Sequence, residues 1–482
     1  MTNRILYNGI KILVSNIGTK ILGLINIILL STFLSISDFG LFMLILTTIN
    51  FVGLISTFSL QNVVYKTFVP VENKRTSKLN LANILMFSQI SAIFFFCIIN
   101  IFANNIMINL FHETNVIDFR ILSTIILLIP LSTVLKAILV SSDLIKRSIL
   151  VDIIGQLTRT VFLLILFTLN ATIFQTAICY VFASMVTLSA AMYFSRQILS
   201  KIKIKFSIVH FRSIFKMGSL FFASSIGVLL LFNIDKIMLG ILSNSRNVGY
   251  YILASTISNI LLLTHQSFST IFKPFAAVNF LKGNISILAK KYYELGKWSS
   301  NISGILFVFI TFFPTYLISL FSNIENDHVF IVGLLLLSTS NFIYITIGQS
   351  TSLLQMIGGY KFEAINTFIL IIINLILNLF LIPIYGAIGA AISTLIAVTV
   401  RVILQTIQIK NLIGLIVINQ YQFIIFVLGL TLALASYKMV IYTEVKLILL
   451  LFCIVGLIYF LLTENSIDEF RSEIIKLLVH KK

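Results

Sequence analysis

Seven ionisable residues stand inside long apolar runs of this chain. Lys20, Lys136, Arg159, Lys236 and Arg401 are basic; Asp152 and Asp235 are acidic. A charge in hydrocarbon is expensive: a central Lys or Arg costs roughly 2.5–3.5 kcal/mol even on a lenient scale. Such a residue persists where it pairs, reaches the interface or faces a wet cavity. The chemistry on offer is therefore the holding of ions. Five cations suit an anion, and two carboxylates are the candidates for coupling an ion. Depth separates the seven. Lys136 and Arg401 lie near the cytoplasmic ends of their runs and Lys236 near an external end, where a long stem can snorkel. Lys20 and Arg159 lie deeper. Lys20 shares a helical face with Asn16, Gly23 and approximately Asn26. Arg159 shares one with Gln156 and Asp152, so an internal Asp152–Arg159 pair that only locks helices stands beside the cavity reading.

Neutral polar residues add a second pattern. Ser255, Ser258, Asn259, His265, Gln266 and Ser269 fall on one face of a single helix over about four turns. A stripe that long predicts the wall of a water-filled cavity, lined by Asn259, His265 and Gln266; helix-to-helix hydrogen bonding is the alternative. Ser338, Asn341, Gly348, Gln349 and Ser352 form a similar face, and Asn366, Asn374 and Asn378 a third. His112, His210, His328 and His480 fall in or near loops. The chain carries no phosphate-binding glycine loop, no HExxH and no GxSxG. Neither enzyme chemistry, a cofactor nor a metal is expected. Cys97, Cys179 and Cys453 sit in apolar runs without metal spacing.

The elements that position these residues follow from composition. Of 482 residues, 59% are apolar and only 10% charged, against roughly 25% charged in a soluble domain. Mean hydropathy is +1.06. So few charges could not cover a soluble surface, and the long continuous runs exclude a membrane barrel. An all-α polytopic membrane protein is expected, with about fourteen spans of the length a bilayer demands. The first lies near 10–34 and reads as a retained anchor. The sixth and seventh lie near 172–194 and 217–241, the eighth near 249–272, and the last two near 421–440 and 446–463. Pro130 and Pro314 are expected to kink their spans, and Gly386, Ala387, Ala390 and Ala391 to allow close helix packing.

Charge sets the orientation. The net charge of +18 needs no nucleic acid to explain it, because basic residues gather on the cytoplasmic side. With the N-terminus inside, only Arg120, Arg246, Lys438 and Lys446 fall outside among residues beyond the spans. Both termini are therefore expected in the cytoplasm. The basic stretch Ser195–Lys216 divides the chain into an N-terminal six-helix lobe over 1–205, a C-terminal six-helix lobe over 206–411, and two additional helices with a tail over 412–482. A weak echo links the lobes. Ser35-Ile-Ser-Asp-Phe-Gly-Leu-Phe42 joins spans one and two, and Ser243-Asn-Ser-Arg-Asn-Val-Gly-Tyr-Tyr251 joins seven and eight. Such repeats are related by an axis along the membrane normal.

These segments carry a family likeness. Lys20-Ile-Leu-Gly23 leads to Ser37-Asp-Phe-Gly-Leu-Phe42. Asn233-Ile-Asp-Lys-Ile-Met-Leu-Gly240 is followed by Val248-Gly-Tyr-Tyr251, Phe272-Lys-Pro-Phe275 and Ile382-Pro-Ile-Tyr-Gly-Ala-Ile-Gly-Ala-Ala391. In order and spacing they resemble the Wzx-type flippases of bacterial polysaccharide assembly, which share a superfamily and a MATE-like fold with multidrug exporters. The resemblance implies outward flipping of an oligosaccharide repeat unit on undecaprenyl pyrophosphate, in the bacterial cytoplasmic (inner) membrane. It implies use of that unit for O-antigen, lipopolysaccharide or capsule, with a polysaccharide polymerase as a possible partner beside membrane lipids. In the family, cationic cavity residues are thought to hold the anionic head group, and Lys20 occupies a place where a basic residue often stands. Asn26 stands roughly where the peptidoglycan-precursor relatives carry a second basic residue. A MATE-type multidrug or cation antiporter is the runner-up and would rely on Asp152 and Asp235. A membrane polymerase or ligase is a third reading, but it would need a larger external loop than Ala103–Arg120.

Reporter fusions test the orientation. Fusions at Lys205 and after Lys482 should both report the cytoplasm; a periplasmic signal at either would overturn the lobe assignment.

Overall fold

The computed structural model describes residues 2–67, 76–142, 144–169, 172–200, 208–319, 321 and 328–415. The expected spans near 421–440 and 446–463, and Cys453, lie outside them. Among the described residues every regular element is a helix. In order these are α1 (Thr2–Phe33), α2 (Ile36–Ser56), α3 (Leu60–Thr67), α4 (Thr76–Ile101), a π-turn (Asn105–Leu110), α5 (Val116–Ser123), α6 (Ile125–Ser141), α7 (Ile145–Thr168), α8 (Ile173–Leu199) and α9 (Ile208–Leu242). Then follow α10 (Ser245–Ser258), α11 (Leu261–Leu281), α12 (Ile285–Phe312), α13 (Pro314–Ser319), α14 (His328–Thr346), α15 (Ser350–Met356), α16 (Tyr360–Tyr385) and α17 (Ala387–Ile413). Within the described residues, eight helices or fused helix pairs are long and apolar enough to cross a membrane, nine if α10 and α11 form one span.

Burial explains why α7 sits as it does. Leu157, Val161 and Leu164 recur at helical spacing and are exposed apolar residues, a face suited to lipid. Val151, Gly155, Thr160 and Leu163 face inward. Asp152, Gln156 and Arg159, at spacings of four and three, lie half-buried on the inward side. The chain thus inverts the soluble pattern: apolar groups cover the outside and polar groups are drawn in.

The described helices form two compact units. The first comprises Met1–Ile257, Ile318–Gly333 and Ala364–Ala397. Its core gathers Leu60, Val63, Phe87, Leu135, Ile138 and Val151 from α3, α4, α6 and α7. The second comprises Ser258–Leu317, Leu334–Glu363 and the described part of Val398–Lys482. Its core gathers Phe272, Leu288, Tyr292, Leu353, Val402 and Ile409.

Several helices are broken where continuous spans were expected. The polar stripe near 249–272 does not lie on one helix: α10 stops at Ser258, and Asn259 and Ile260 form the turn before α11. The four-turn face is corrected accordingly to two shorter faces. Pro314 behaves as expected, ending α12 and opening α13 at a first-turn position that needs no N–H donor. Pro130 lies inside an uninterrupted α6, and the break falls earlier, at Thr124. Between α2 and α3, Phe58 and Ser59 take φ of 49° and 51°. Left-handed backbone is costly for residues with a Cβ. The Phe58 ring is stacked on Phe215 and Phe222, at 5.3 and 5.2 Å between centroids. That clamp fixes the break in place.

The two echoing segments meet each other inside the first unit. Ser37 and Ser245 hydroxyls lie 3.0 Å apart. A Cβ on Gly40 would strike the Ser245 carbonyl, and one on Gly249 would come within 2.6 Å of the Ile36 carbonyl. Ser35 caps α2 by accepting from the Asp38 N–H. The shared glycine is thus the means by which two like helix starts cross at backbone distance. Gly40→Ala should lower stability by about 1–3 kcal/mol, the range for an overpacked contact. Thermal unfolding of the purified chain checks it; an unchanged midpoint would show that the crossing relaxes freely.

Candidate functional site

The first cluster surrounds α7 in the first unit. Asn26 on α1 donates to Gln156 Oε1 at 3.2 Å and accepts from the Thr160 hydroxyl at 2.7 Å. These bonds tie α1 to α7 and use up Asn26, which is buried. Lys136 on α6 donates to Asp152 at 2.8 Å. The pair is part-exposed, with Asp152 at 45%, which limits its contribution to stability. Two alternatives from the sequence are corrected here. Lys136 does not merely snorkel, and Asp152 does not pair with Arg159.

Arg159 is left with an aromatic partner. Its guanidinium carbon lies 4.5 Å over the Tyr180 ring of α8. Tyr180 is buried and held edge-on by Phe42, at 5.0 Å. Arg159 Nε is buried without a hydrogen-bond partner. A ring face stabilises a desolvated cation by about 2 kcal/mol, but it leaves the N–H donors unspent. A cation so held is ready for an anion. Lys20, one helix away on α1, is exposed.

The second cluster surrounds Asp235, also in the first unit and 8% exposed. Tyr251 donates to Oδ2 at 2.7 Å and Thr394 to the same oxygen at 3.0 Å. Asn378 donates to Oδ1 at 2.7 Å and to Asn374 at 3.0 Å. Two of the expected asparagine stripe, Asn374 and Asn378, therefore serve this carboxylate. Lys236, its chain neighbour, is half-buried.

The third cluster lies in the second unit. Arg401 on α17 pairs with Glu363 at the start of α16. Gln405, one turn on, donates to the other Glu363 oxygen at 2.7 Å and to Thr351 at 2.9 Å. Thr351 and the Tyr344 hydroxyl are 3.0 Å apart. Tyr344 lies under the Arg401 guanidinium at 5.6 Å and against the His265 ring at 4.9 Å. Gln349 reaches His265 Nδ1 at 3.4 Å and its carbonyl at 3.3 Å. Arg401 is thus ion-paired, and the snorkelling alternative is corrected for it too. Glu363 escaped the sequence reading because it sits at the first turn of its span, just after Gly358 and Gly359. Its signal was Gln405 following Arg401 at helical spacing. The rest of the broken stripe divides. Asn341 donates to Ser258 at 3.2 Å and to Asn259 at 3.3 Å, and Ser269 and Ser352 lie 2.5 Å apart. His265 is buried, while Asn259 and Gln266 are exposed.

Residues 5–272 match the family model described as polysaccharide biosynthesis protein. No curated protein matches the chain. Among solved structures, the lipid II flippase MurJ in an inward closed conformation is similar at 15% identity, covering 92% of this chain and 97% of that one, with TM-score 0.71. An inward-facing MATE multidrug transporter of the MOP superfamily is similar at 16% identity, over 88% and 96%, with TM-score 0.63. A MOP superfamily transporter from Pyrococcus furiosus, described as having a binding pocket of reversed polarity, is similar at 16% identity, over 85% and 95%, with TM-score 0.59. At these identities the likeness is one of fold, and the fold is the MATE-like polytopic membrane fold.

Cysteine labelling separates cavity from packing in the broken stripe. Cys97 is exposed and Cys179 buried, so all native cysteines are replaced first. A water-soluble thiol reagent should then label cysteines at Asn259 and Gln266 and spare those at Ile257, Leu261 and His265. Equal protection throughout would make both faces packing surfaces.

Proposed function

The chain belongs to the polysaccharide biosynthesis protein family, and on that premise we propose that it is a flippase for an anionic, lipid-linked oligosaccharide. Its substrate in this reading is a repeat unit on undecaprenyl pyrophosphate, destined for O-antigen, capsule or a similar surface glycan. It works by alternating access of two six-helix lobes in the bacterial cytoplasmic membrane, with both termini inside. No bond is made or broken, so the protein acts as a carrier.

The observation that carries the reading is Arg159. Its guanidinium rests on Tyr180 with Nε buried and unpaired, while Lys136 and Arg401 are already matched by carboxylates. A diphosphate supplies the acceptors that Arg159 lacks, in a setting where charge pairs are poorly screened. Lys20, exposed on the neighbouring α1, is the second cation offered to the same anion, and Lys236 a third. Asn259 and Gln266 are the neutral groups offered to sugar hydroxyls. Ion coupling in this reading rests on Asp235, where the side-chain oxygens of Tyr251, Thr394 and Asn374 stand near the carboxylate. Oxygen-rich surroundings of this kind suit a hard cation. The same cluster favours the second reading, a cation antiporter of like fold.

Glycan export in cells lacking their own flippase tests both. Arg159→Ala should cut export by about tenfold or more, the scale of one lost charged hydrogen bond. Arg159→Lys should keep part of it. Lys20→Glu should abolish it while leaving expression intact; normal export by Lys20→Glu would refute the cationic site. The antiporter reading instead expects drug resistance that falls in Asp235→Asn and glycan export that none of these changes touches.

A further inference from the structure

The Glu363 cluster of the second unit is built differently from the other polar groups of the spans. Asp235 takes only neutral donors. Lys136–Asp152 and Lys291–Glu294 are more exposed than Arg401–Glu363, whose side chains are 15% and 7% exposed. Around this buried pair the hydrogen bonding is unfinished. Arg401 Nε, Gln405 Oε1 and Gln349 Oε1 are buried and have no partner, although Gln405 and Gln349 are fully buried residues. A network kept only as glue would be expected to close, because a half-satisfied polar cluster in low dielectric is worse than an apolar one. The open valences sit on both sides of the ion pair: a donor on Arg401 itself, and an acceptor on the amide that binds Glu363.

We propose that Glu363 is a proton-binding site, and that protonation releases Arg401 to take an anionic group. The inference rests on the flippase reading for the identity of that group, a phosphate of the lipid carrier. The geometry assigns each partner a part. While Glu363 is ionised it occupies one terminal nitrogen of Arg401 and the amide of Gln405. Once neutral, it no longer compensates the guanidinium, which keeps its charge at any relevant pH. Tyr344, beneath the guanidinium, holds it in place by its ring face, as Tyr180 does for Arg159. Gln405 Oε1 stands free to accept the new carboxyl proton after a rotation of its amide. The freed terminal nitrogen and Nε then present two donors to a phosphate, a bidentate match that a carboxylate and a phosphate both satisfy. One site thus exchanges a carboxylate for a phosphate and takes up one proton in doing so.

Arg401 stands on α17, Tyr344 on α14 and His265 on α11 behind Tyr344. Lys273 on α11 and Arg401 both bear electrostatically on His265. Tyr292 on α12 is committed to the Ile347 carbonyl and Ser350. Glu363 is the carboxylate of this group, so a titrating carboxyl signal from the cluster belongs to it. His265 is the competing titratable group and gives a different spectroscopic signature.

Linkage sets the expected sign. An anion that binds only after Glu363 is protonated must bind more tightly in acid, and its binding must in turn favour the protonated carboxyl. The test uses the full chain in liposomes and infrared difference spectra across the acid-to-neutral range. Among the bands of the chain's 16 side-chain carboxyl groups, the wild type should show one that is lost in Glu363→Gln and retained in His265→Gln. Adding undecaprenyl pyrophosphate should move that band's midpoint up by about one pH unit, the shift from a tenfold linkage. Binding of the same lipid, measured on the same samples, should be pH-dependent in the wild type and pH-independent in Glu363→Gln. Gln at 363 keeps the size and polarity of Glu, and its elution as a monodisperse species guards against misfolding. Carboxyl bands that Glu363→Gln leaves unchanged throughout, or lipid binding whose pH dependence survives it, overturn the inference. Failure of the wild type to bind the lipid overturns the flippase reading itself, and with it the phosphate as partner. A Glu363 band that titrates while the lipid binds without moving it overturns the exchange alone.

Discussion

Hydrocarbon offers a polar group no partner, and the whole arrangement of this chain follows from that one condition. In water an Asn or Lys is solvated wherever it points. In a membrane span each such group must find its match on another helix or stay costly. Asn26 shows the rule: its two functional atoms are spent on Gln156 and Thr160, and α1 is thereby fastened to α7. Asp235 shows it again, with Tyr251, Thr394 and Asn378 around one carboxylate. Helix packing by Leu and Ile alone is weakly selective in lipid, since tails are as apolar as side chains. Polar matches and close glycine contacts supply the selectivity instead, as where Gly40 and Gly249 let two helix starts touch.

The same condition makes the exceptions informative. Arg159 has a ring where a carboxylate would be expected, and its cost is not fully met inside the protein. Arg401 has a carboxylate, but its Nε and two neighbouring amide oxygens are unmet. In both places an aromatic ring holds the guanidinium in position without consuming its donors. Position and availability are thus supplied by separate groups. A carrier requires that division, because a cation satisfied by permanent hydrogen bonds could not release one partner for another.

Fold class was legible from composition and the length of the apolar runs, because both are imposed by the bilayer and not by any particular contact. Which cations fall within apolar runs was legible for the same reason. Partnership was not. Lys136 meets Asp152 across a helix pair, whereas Arg159 and Asp152 share one helix and do not meet. Helical periodicity reports which residues share a face, and only packing decides which faces meet. Glu363 lay hidden because its position at a span's first turn looks interfacial in one dimension. The breaks were hidden too. Neither Phe58–Ser59 nor Asn259–Ile260 contains the glycine or proline that normally marks an interruption. At Phe58 the left-handed turn is stabilised by a stack of rings from α9, more than 150 positions along the chain.

Sequence echo and polar design therefore part company in this molecule. Ser35–Phe42 and Ser243–Tyr251 echo one another weakly in sequence and meet through their glycines. The charged groups are not repeated with them. Around α7 the cation is uncompensated and supported by Tyr180; around α17 it is compensated by Glu363 and supported by Tyr344. In the proposed exchange, two cations that differ in whether a carboxylate guards them respond differently to pH. An unguarded guanidinium attracts an anion at any pH, while a guarded one does so only when its carboxylate is neutral. In that exchange any direction has to come from a proton gradient, because two unlike sites do not by themselves bias a cycle at equilibrium.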